Sequence, residues 1–388
     1  MLSNSKTILS LFEANKFNEA LEILNKSKNE NENEYIFYFY RGIAYLKLNK
    51  FSEAKEDFNK GITLNSNSPE IYNNLGILNY TIGKNEQAIE NFIKSINLKS
   101  NFNQSTSGLI NVLSHTKHYK KNNSDIVLTH NKLNQIDFNY SSQDFIINEK
   151  IKDYISKINS VVDNKLGNLE FNMTQTYRRH KPPLHCDRHK KVFNTYNAIP
   201  KFCFSCFKVQ IELDNVIDLI KLFIIFDNIK FLNNNTRKCM VELRPNASGK
   251  YKGLVYCSTI EESEIILSQL REVSNKNINT NITYKIKKGC TEYTFKYPNY
   301  DNLKDDAMTY NSEWEKYENL IDQQNPDLIF EKITRPTIKG LSLYDALVIR
   351  NWLAYAKLIG DETYTKITNQ NFYSNFIERY LKNQKILE

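Results

Sequence analysis

The chain has 388 residues, of which 12% are aromatic and only 19 are glycine or proline. It is long enough for two or three domains with ordinary cores, and this composition excludes a chain dominated by disorder. The net charge of +8 is concentrated, because residues 171–210 hold eight lysines and arginines against one aspartate and so carry +7.

No stretch approaches the roughly 18 uninterrupted apolar residues that a membrane helix requires, and the first residues lack the apolar core of a signal peptide. We therefore expect a cytoplasmic protein that has no membrane partner and keeps its thiols reduced. In that setting, clustered cysteine and histidine favour a metal site over disulfides.

The first hundred residues repeat with a period of 34. The strings that begin at residues 16, 50 and 84 read KFNEA, KFSEA and KNEQA. Small residues recur where two antiparallel helices would cross closely, and large apolar residues recur where successive helix pairs would pack. The small set is Ala20, Ala54 and Ala88, and the large set is Leu24, Phe58 and Phe92. Over residues 5–100 this pattern resembles the tetratricopeptide repeat (TPR) family.

The resemblance implies a stack of helix pairs in which the first helix of each pair lines a groove for a peptide or partner protein. On this sequence the groove would draw on aromatic and polar side chains of the second and third repeats: Phe39, Tyr40, Ile43, Asn73, Asn74 and Ile77. These residues include no lysine or arginine, so we do not expect a clamp for a peptide's terminal carboxylate. Repeats that merely pack on the rest of the chain are the alternative.

Residues 116–170 are predicted to form a polar linker and one amphipathic helix. Apolar residues recur at helical spacing between Asn148 and Val162. His115, His118 and His130 have no partner at ligand spacing, and we expect them to lie on the surface.

Residues 171–206 combine positive charge with metal-ligating residue types. Cys186 and His189 form one close pair, and Cys203 and Cys206 form a second pair after a gap of 13 residues. Two such pairs can converge on one tetrahedral ion, because each two-residue gap forms a tight turn that aims both side chains inward. We predict a closed, structural zinc site from these four residues.

Other uses of these residues stay open. The cysteines are unmetallated in one alternative. In another, an iron–sulfur cluster recruits a cysteine from further along the chain; the candidates are Cys239, Cys257 and Cys290. His185 and Asp187 form an H-x-D string that resembles the first two ligands of the iron(II) 2-oxoglutarate dioxygenases, or, with His189, a metal-dependent nuclease. No histidine follows His189, so the distal ligand of a dioxygenase is missing, and a non-enzymatic protein is favoured.

Six basic residues surround the predicted zinc site: Arg178, Arg179, Lys181, Arg188, Lys190 and Lys191. Five aromatic residues are interleaved between Phe193 and Phe207. Cationic groups neutralise phosphates with counter-ion release, and exposed rings stack on bases. We therefore expect this segment to bind RNA, single-stranded nucleic acid or another polyanion, with an ordinary solvated charge run as the alternative.

Residues 207–300 alternate between strand and helix patterns. Strands are predicted at 207–213, 236–243, 251–257 and 282–287, the last with a continuation past Gly289, and helices at 215–229 and 259–273. This order predicts a ferredoxin-like βαββαβ domain with both helices on one face. The string that begins at Lys252 resembles the first motif of RNA-recognition domains, with Tyr256 at an aromatic position. Leu254 and Thr259 replace the other two aromatic residues, which favours packing over base stacking.

The remaining residues are predicted to be helical. Ser342 and Asp345 have capping-box spacing, and they precede an apolar run that ends at Gly360. The predicted organisation is α+β: an N-terminal α-helical TPR array (1–115), a linker with a helix (116–170), the basic metal-binding segment (171–206), the ferredoxin-like domain (207–300) and C-terminal helices (301–388).

The function that follows is an adaptor. Its repeats would bind a protein partner, and its zinc-stabilised basic region would contact nucleic acid or another polyanion. Two alternatives are a metal-dependent enzyme whose repeats recruit the substrate and a plain protein-interaction scaffold.

Overall fold

The structure is a computed structural model that describes residues 4–138, 140, 144–167, 169–180, 184–278, 280–303, 307–329 and 333–384. The chain divides into two units. The first unit comprises Met1–Val112, Pro183–Pro200 and Ser312–Ile333, and the second comprises Leu113–Pro182, Lys201–Asn311 and Thr334–Glu388.

The helices and strands follow one another along the chain. The helices are α1 (Ser5–Glu13), α2 (Phe17–Lys26), α3 (Lys28–Asn31), α4 (Tyr35–Lys47), α5 (Phe51–Leu64), α6 (Pro69–Thr81), α7 (Asn85–Leu98), α8 (Asn103–Leu113), α9 (Asp125–Leu133), α10 (Asn148–Leu166), α11 (Cys186–Tyr196), α12 (Val216–Asn228), α13 (Ile260–Asn277), α14 (Thr291–Thr294), α15 (Glu315–Gln324), α16 (Pro326–Ile329), α17 (Leu343–Leu358) and α18 (Asn375–Asn383). The strands are β1 (Gln175–Arg178), β2 (Phe207–Leu213), β3 (Arg237–Val241), β4 (Tyr251–Cys257) and β5 (Thr283–Lys288). Short 3-10 turns lie at Lys201–Ser205, Ser312–Trp314 and Glu362–Lys366.

The 34-residue period of the sequence is a series of helix pairs. α1 and α2, α4 and α5, and α6 and α7 are the three pairs, and α8 follows them. Gly42 and Gly76 permit close contact within the second and third pairs, since a Cβ at either position would lie 2.6 Å from the ring of Phe58 or Phe92. The small and large residues of the repeat therefore act as complementary packing surfaces.

The second unit is built on a five-stranded antiparallel sheet with the order β1-β3-β4-β2-β5. The four strands and two helices predicted between residues 207 and 288 are confirmed, with ends that shift by a few residues. The predicted continuation of the last strand beyond Gly289 is wrong. Gly289 has φ +54°, which turns the chain out of the strand, and α14 follows.

Helix packing covers one face of this sheet. A Cβ at Gly253 of β4 would lie 2.3 Å from Leu222 of α12, so this strand position faces that helix closely. α17 begins with the predicted capping box of Ser342 and Asp345, and the indole of Trp352 donates to the carbonyl of Thr174 at 2.9 Å. In the described parts of the chain, no helix is long and apolar enough to cross a membrane.

His130 is buried with 0% exposure, so its predicted surface position is wrong. Its Nε2 lies 2.8 Å from the Thr116 carbonyl and its Nδ1 lies 3.3 Å from the Leu343 amide nitrogen. Because a carbonyl only accepts and an amide N–H only donates, the ring is neutral with its proton on Nε2. Burial lowers the pKa of His130 to about 4.

Candidate functional site

The residues predicted to bind a partner lie on the first helices of two repeats. α4 carries Phe39, Tyr40 and Ile43, and α6 carries Asn73, Asn74 and Ile77. The apolar and polar members of this set have different surroundings, which separates their roles.

An aliphatic row crosses the first helices of all three repeats. Leu9 of α1, Ile43 of α4 and Ile77 of α6 are separated by 34 residues each and therefore occupy equivalent positions. The side chains of Leu9 and Ile77 are 45% and 40% exposed, and Ile43 is half-buried against the core between α5 and α6. Exposed apolar patches mark interaction sites, and we therefore take these equivalent positions as the candidate binding surface. We call Leu9, Ile43 and Ile77 the aliphatic row.

Aromatic rings lie beside this row. The ring of Tyr40 is 6.1 Å from that of Phe12 and 5.3 Å from that of Phe39, measured between centroids. Leu9 and Phe12 were missed in the sequence prediction. Subtracting the repeat period from Ile43 gives Leu9, so the signal was present in the first repeat.

The two asparagines serve the array itself. Asn73 is 4% exposed, and its Oδ1 accepts a hydrogen bond from the Ser105 hydroxyl of α8 at 2.9 Å. This burial removes Asn73 from the predicted groove. Asn74 is half-buried, and its Nδ2 donates to the Glu70 carbonyl one turn earlier at 2.8 Å.

The arginine of α4 is also committed within its repeat. Arg41 donates from Nε and Nη2 to the two carboxylate oxygens of Asp57, each at 2.7 Å. Its side chain is 11% exposed. This bidentate pair leaves the apolar side chains as the feature that α4 offers to a partner.

The four predicted zinc ligands belong to different units. Cys186 and His189 lie on α11 in the first unit, whereas Cys203 and Cys206 lie just before β2 in the second. Among the described residues, no three His, Cys, Asp or Glu side chains form a group that could hold a metal ion. The zinc site therefore stays a prediction that rests on spacing.

Individual members of this set have local partners. His189 is 6% exposed, and burial, followed by the charge of Arg188, lowers its pKa to about 4. The Nδ1 of His185 lies 2.9 Å from the Leu328 carbonyl, which requires that nitrogen to carry the proton. The thiol of Cys203 lies 3.5 Å from the Tyr293 hydroxyl. Cys239 and Cys257, named for an iron–sulfur cluster, are buried in strands, and Cys290 is half-buried.

The six predicted polyanion-binding residues are divided between the two units as well. Arg178 and Arg179 lie in the second unit, Arg188, Lys190 and Lys191 lie in the first, and Lys181 lies outside the described residues. Arg178 must be removed from the predicted surface, because it is 0% exposed and forms ion pairs with Asp227 and Asp345.

Two acidic residues of α15 neutralise Arg188. Arg188 donates to both carboxylate oxygens of Asp322 at 2.5 and 2.8 Å and to Glu318 at 2.8 Å. Lys191 donates to the Asn325 side chain at 2.5 Å, and Lys190 is exposed. Of the described basic residues in this stretch, Arg178 is buried and Arg188 is paired with acids, so these two are not available to a polyanion.

The sheet face opposite α12 concentrates lysines instead. Side chains alternate along a strand, so the neighbours of Gly253 point away from α12, and the register extends this face across the sheet. Its lysines are Lys208, Lys238, Lys252, Lys285 and Lys287. We call these five residues the lysine face.

Tyrosines and two carboxylates complete the lysine face. The Nζ of Lys208 lies 5.6 Å from the ring centre of Tyr256, and that of Lys238 lies 5.9 Å from the ring centre of Tyr177. Lys285 pairs with Glu212 at 3.0 Å, and Lys252 pairs with Glu242 at 2.8 Å. Lys252 is itself only 6% exposed, so the two carboxylates and the burial of Lys252 reduce the positive charge that this face presents.

Comparison with known proteins identifies repeats within residues 42–102. A TPR repeat model matches residues 42–83, and a tetratricopeptide repeat model matches residues 69–102. No match was found among curated proteins. Among solved structures, the chain is similar to the first TPR of Spaghetti (RPAP3) bound to an HSP90 peptide, with 23% identity over 28% of this chain and 85% of that chain and a TM-score of 0.27. It is also similar to the Arabidopsis OM64 TPR domain, with 16% identity over 29% of this chain and 92% of that chain and a TM-score of 0.28.

Proposed function

Residues 42–102 belong to the tetratricopeptide repeat family, and on that premise we propose that this chain is an adaptor that binds a partner protein through its helical array. The partner segment is apolar. The observation that carries this proposal is the aliphatic row of Leu9, Ile43 and Ile77, of which the first and last are 45% and 40% exposed. Covering such side chains removes apolar surface from water, which stabilises a complex by about 25 cal/mol per Å².

The experiment compares charge insertion inside and outside the row. Leu9→Glu and Ile77→Glu place a carboxylate in the proposed contact. Leu64→Glu is the matched control, because Leu64 is 38% exposed at the end of α5, a second helix of its pair. The probe is a peptide selected by the wild-type chain from a displayed random library and then labelled for fluorescence anisotropy.

Each substitution in the row should lower the affinity for the peptide by about tenfold or more, since it removes an apolar contact and adds a charge that must be desolvated. Leu64→Glu should leave the affinity unchanged. Equal affinities for all three variants, or equal losses, would remove the row from the binding surface.

A second candidate function, polyanion binding, is favoured by the lysine face. We infer a ferredoxin-like connectivity for β2 to β5, supported by their order β3-β4-β2-β5 and antiparallel pairing. Single-stranded RNA would meet lysines for its phosphates and the rings of Tyr177 and Tyr256 for its bases. Lys238→Glu should lower the affinity for a labelled RNA oligonucleotide and reduce the salt dependence of its binding. Lys190→Glu should leave both the affinity and the salt dependence unchanged. The reverse result would favour the segment of residues 171–206.

Zinc is a separate proposal, supported by the ligand spacing of Cys186, His189, Cys203 and Cys206. The metal content of the purified wild-type protein and of Cys203→Ser tests it. One zinc per chain that is lost in the variant supports the adaptor with a structural site. Iron would favour the enzyme or iron–sulfur alternatives, and a metal-free wild-type protein prepared without chelator would contradict the site.

A further inference from the structure

Two arginines of the second unit meet at one backbone oxygen. Arg237 donates from Nη1 to the carbonyl oxygens of Phe226 and Ile229 at 2.8 and 2.7 Å. Arg179 donates from Nη2 to the same Ile229 oxygen at 3.1 Å. The two guanidinium groups therefore lie side by side, and within the described residues neither forms an ion pair with a carboxylate.

The binding edge of Arg237 has no acceptor among the described residues. Arg237 is 0% exposed, and its Nε and Nη2 atoms, together with the Nε of Arg179, are buried without a hydrogen-bond partner there. Nε and Nη2 form the edge of a guanidinium that holds two oxygens of one anion in parallel hydrogen bonds. Three charged N–H donors thus have no acceptor among the described residues, two on the buried Arg237 and one on the half-buried Arg179.

The neighbouring carboxylates do not neutralise this pair. Asp227 and Asp345 form ion pairs with Arg178, and the second oxygen of Asp227 accepts from the Gly340 amide at 2.9 Å. Among the described residues of this cluster, three arginines face two aspartates, which leaves one positive charge. Burial, and next the charge of Arg179, lower the pKa of Arg237 to about 9, which shows the unfavourable environment of its cation.

We propose that Arg179 and Arg237 form a binding site for a small tetrahedral oxyanion, namely inorganic phosphate or the phosphoryl group of a small molecule. A monoanion would balance the charge of the cluster. Three donors on two differently placed guanidinium groups match an anion with more than two oxygens, so phosphate suits them better than a carboxylate.

The surroundings of Arg237 restrict the size of the ligand. The ring of Phe231, itself 6% exposed, lies over the guanidinium with 4.4 Å between the ring centre and Cζ. With one face covered and the side chain fully buried, the site suits a small ion and not the backbone of a polymer. The proposal is independent of the repeat array and of the lysine face.

The experiment is calorimetric titration of the full chain with inorganic phosphate at constant ionic strength, with acetate and chloride as comparison anions. Saturable phosphate binding that is weaker for acetate and not seen for chloride is the expected result. Arg237→Lys keeps a positive charge but removes the two-donor edge of the guanidinium, so it should lower the affinity for phosphate by about tenfold or more.

Arg179→Gln is the second variant, because Arg179 is half-buried whereas Arg237 is fully buried. It should also lower the affinity for phosphate. Arg271 is an exposed arginine of α13, and Arg271→Lys should bind phosphate with wild-type affinity. Wild-type affinity in Arg179→Gln or in folded Arg237→Lys would mean an adventitious ion only and would overturn the proposal. No saturable phosphate binding to the wild-type chain would overturn it as well.

Discussion

Replacement of Arg178 by glutamine should strongly destabilise the second unit. The guanidinium donates to Asp227 and Asp345 and to the carbonyls of Ile338 and Gly340, and its side chain is 1% exposed. Glutamine is too short and uncharged, so two carboxylates would remain buried without their cation. Removal of one partner from a buried ion pair costs about 3–5 kcal/mol. Asp345 keeps its bonds from Ser342 and Thr176, so we expect about 3 kcal/mol of unfolding free energy to be lost.

Urea unfolding followed by tryptophan fluorescence measures this loss. Trp352 is fully buried in the second unit, and Trp314→Phe in the background removes the signal of the first unit. Arg350→Gln is the control, because its ion pair with Asp163 at 2.6 Å is partly exposed and worth at most about 1 kcal/mol. If Arg178→Gln costs no more than this control, the buried network does not stabilise the unit as described.

Three further predictions follow from local geometry. His130 has a folded pKa of about 4, below its unfolded value of 6.5, so its stabilising effect is complete above pH 6.5 and is lost as the pH falls towards 4. His130→Gln should reduce the resulting dependence of the urea midpoint on pH, and an unchanged dependence would contradict this prediction. Gly289→Ala should destabilise the second unit by roughly 1–3 kcal/mol more than Gly360→Ala. Both positions have positive φ, but of the two only a Cβ at Gly289 would meet a neighbour, the Tyr300 hydroxyl at 1.8 Å. Equal losses of unfolding free energy in the two variants would contradict this steric explanation. A peptide with an acidic C-terminus should have a lower affinity than an aliphatic peptide in fluorescence anisotropy titrations, because Arg41 of α4 is held by an ion pair within its repeat. Tighter, salt-sensitive binding of the acidic peptide would contradict this prediction.

Periodic features of the sequence predicted the fold well. The 34-residue period identified the helix pairs, and the strand bounds of β2 and β4 agree with the structure. Both patterns arise from local physics, since a helix or strand must present its apolar residues on one face. The capping box at Ser342 was equally readable, because its two partners are three residues apart.

Features that depend on distant partners were not predictable. β1 is four residues long and contains Arg178, whose carboxylate partners lie 49 and 167 residues away. The sequence showed only a dense positive charge there, and the acids that neutralise Arg188 lie more than 100 residues away. His130 and Asn73 appeared polar and exposed for the same reason, since their buried partners come from other helices.

The sequence predicted the apolar residues of the repeats but not the lysine face. The aromatic and aliphatic residues of α4 and α6 were identified from the repeat, while Leu9 required the same period to be carried back into the first helix. The lysine face was not recognised, because its members are spread over four strands and only the register of the sheet brings them onto one face.

The most direct test of the adaptor proposal is photo-crosslinking from the aliphatic row. A photoreactive amino acid at position 77 would lie on the proposed contact, and one at position 64 would not, although Ile77 and Leu64 are similarly exposed at 40% and 38%. The selected peptide should crosslink at position 77 and not at position 64. Equal crosslinking at both positions, or crosslinking at position 64 alone, would contradict binding of the partner along the first helices of the repeats.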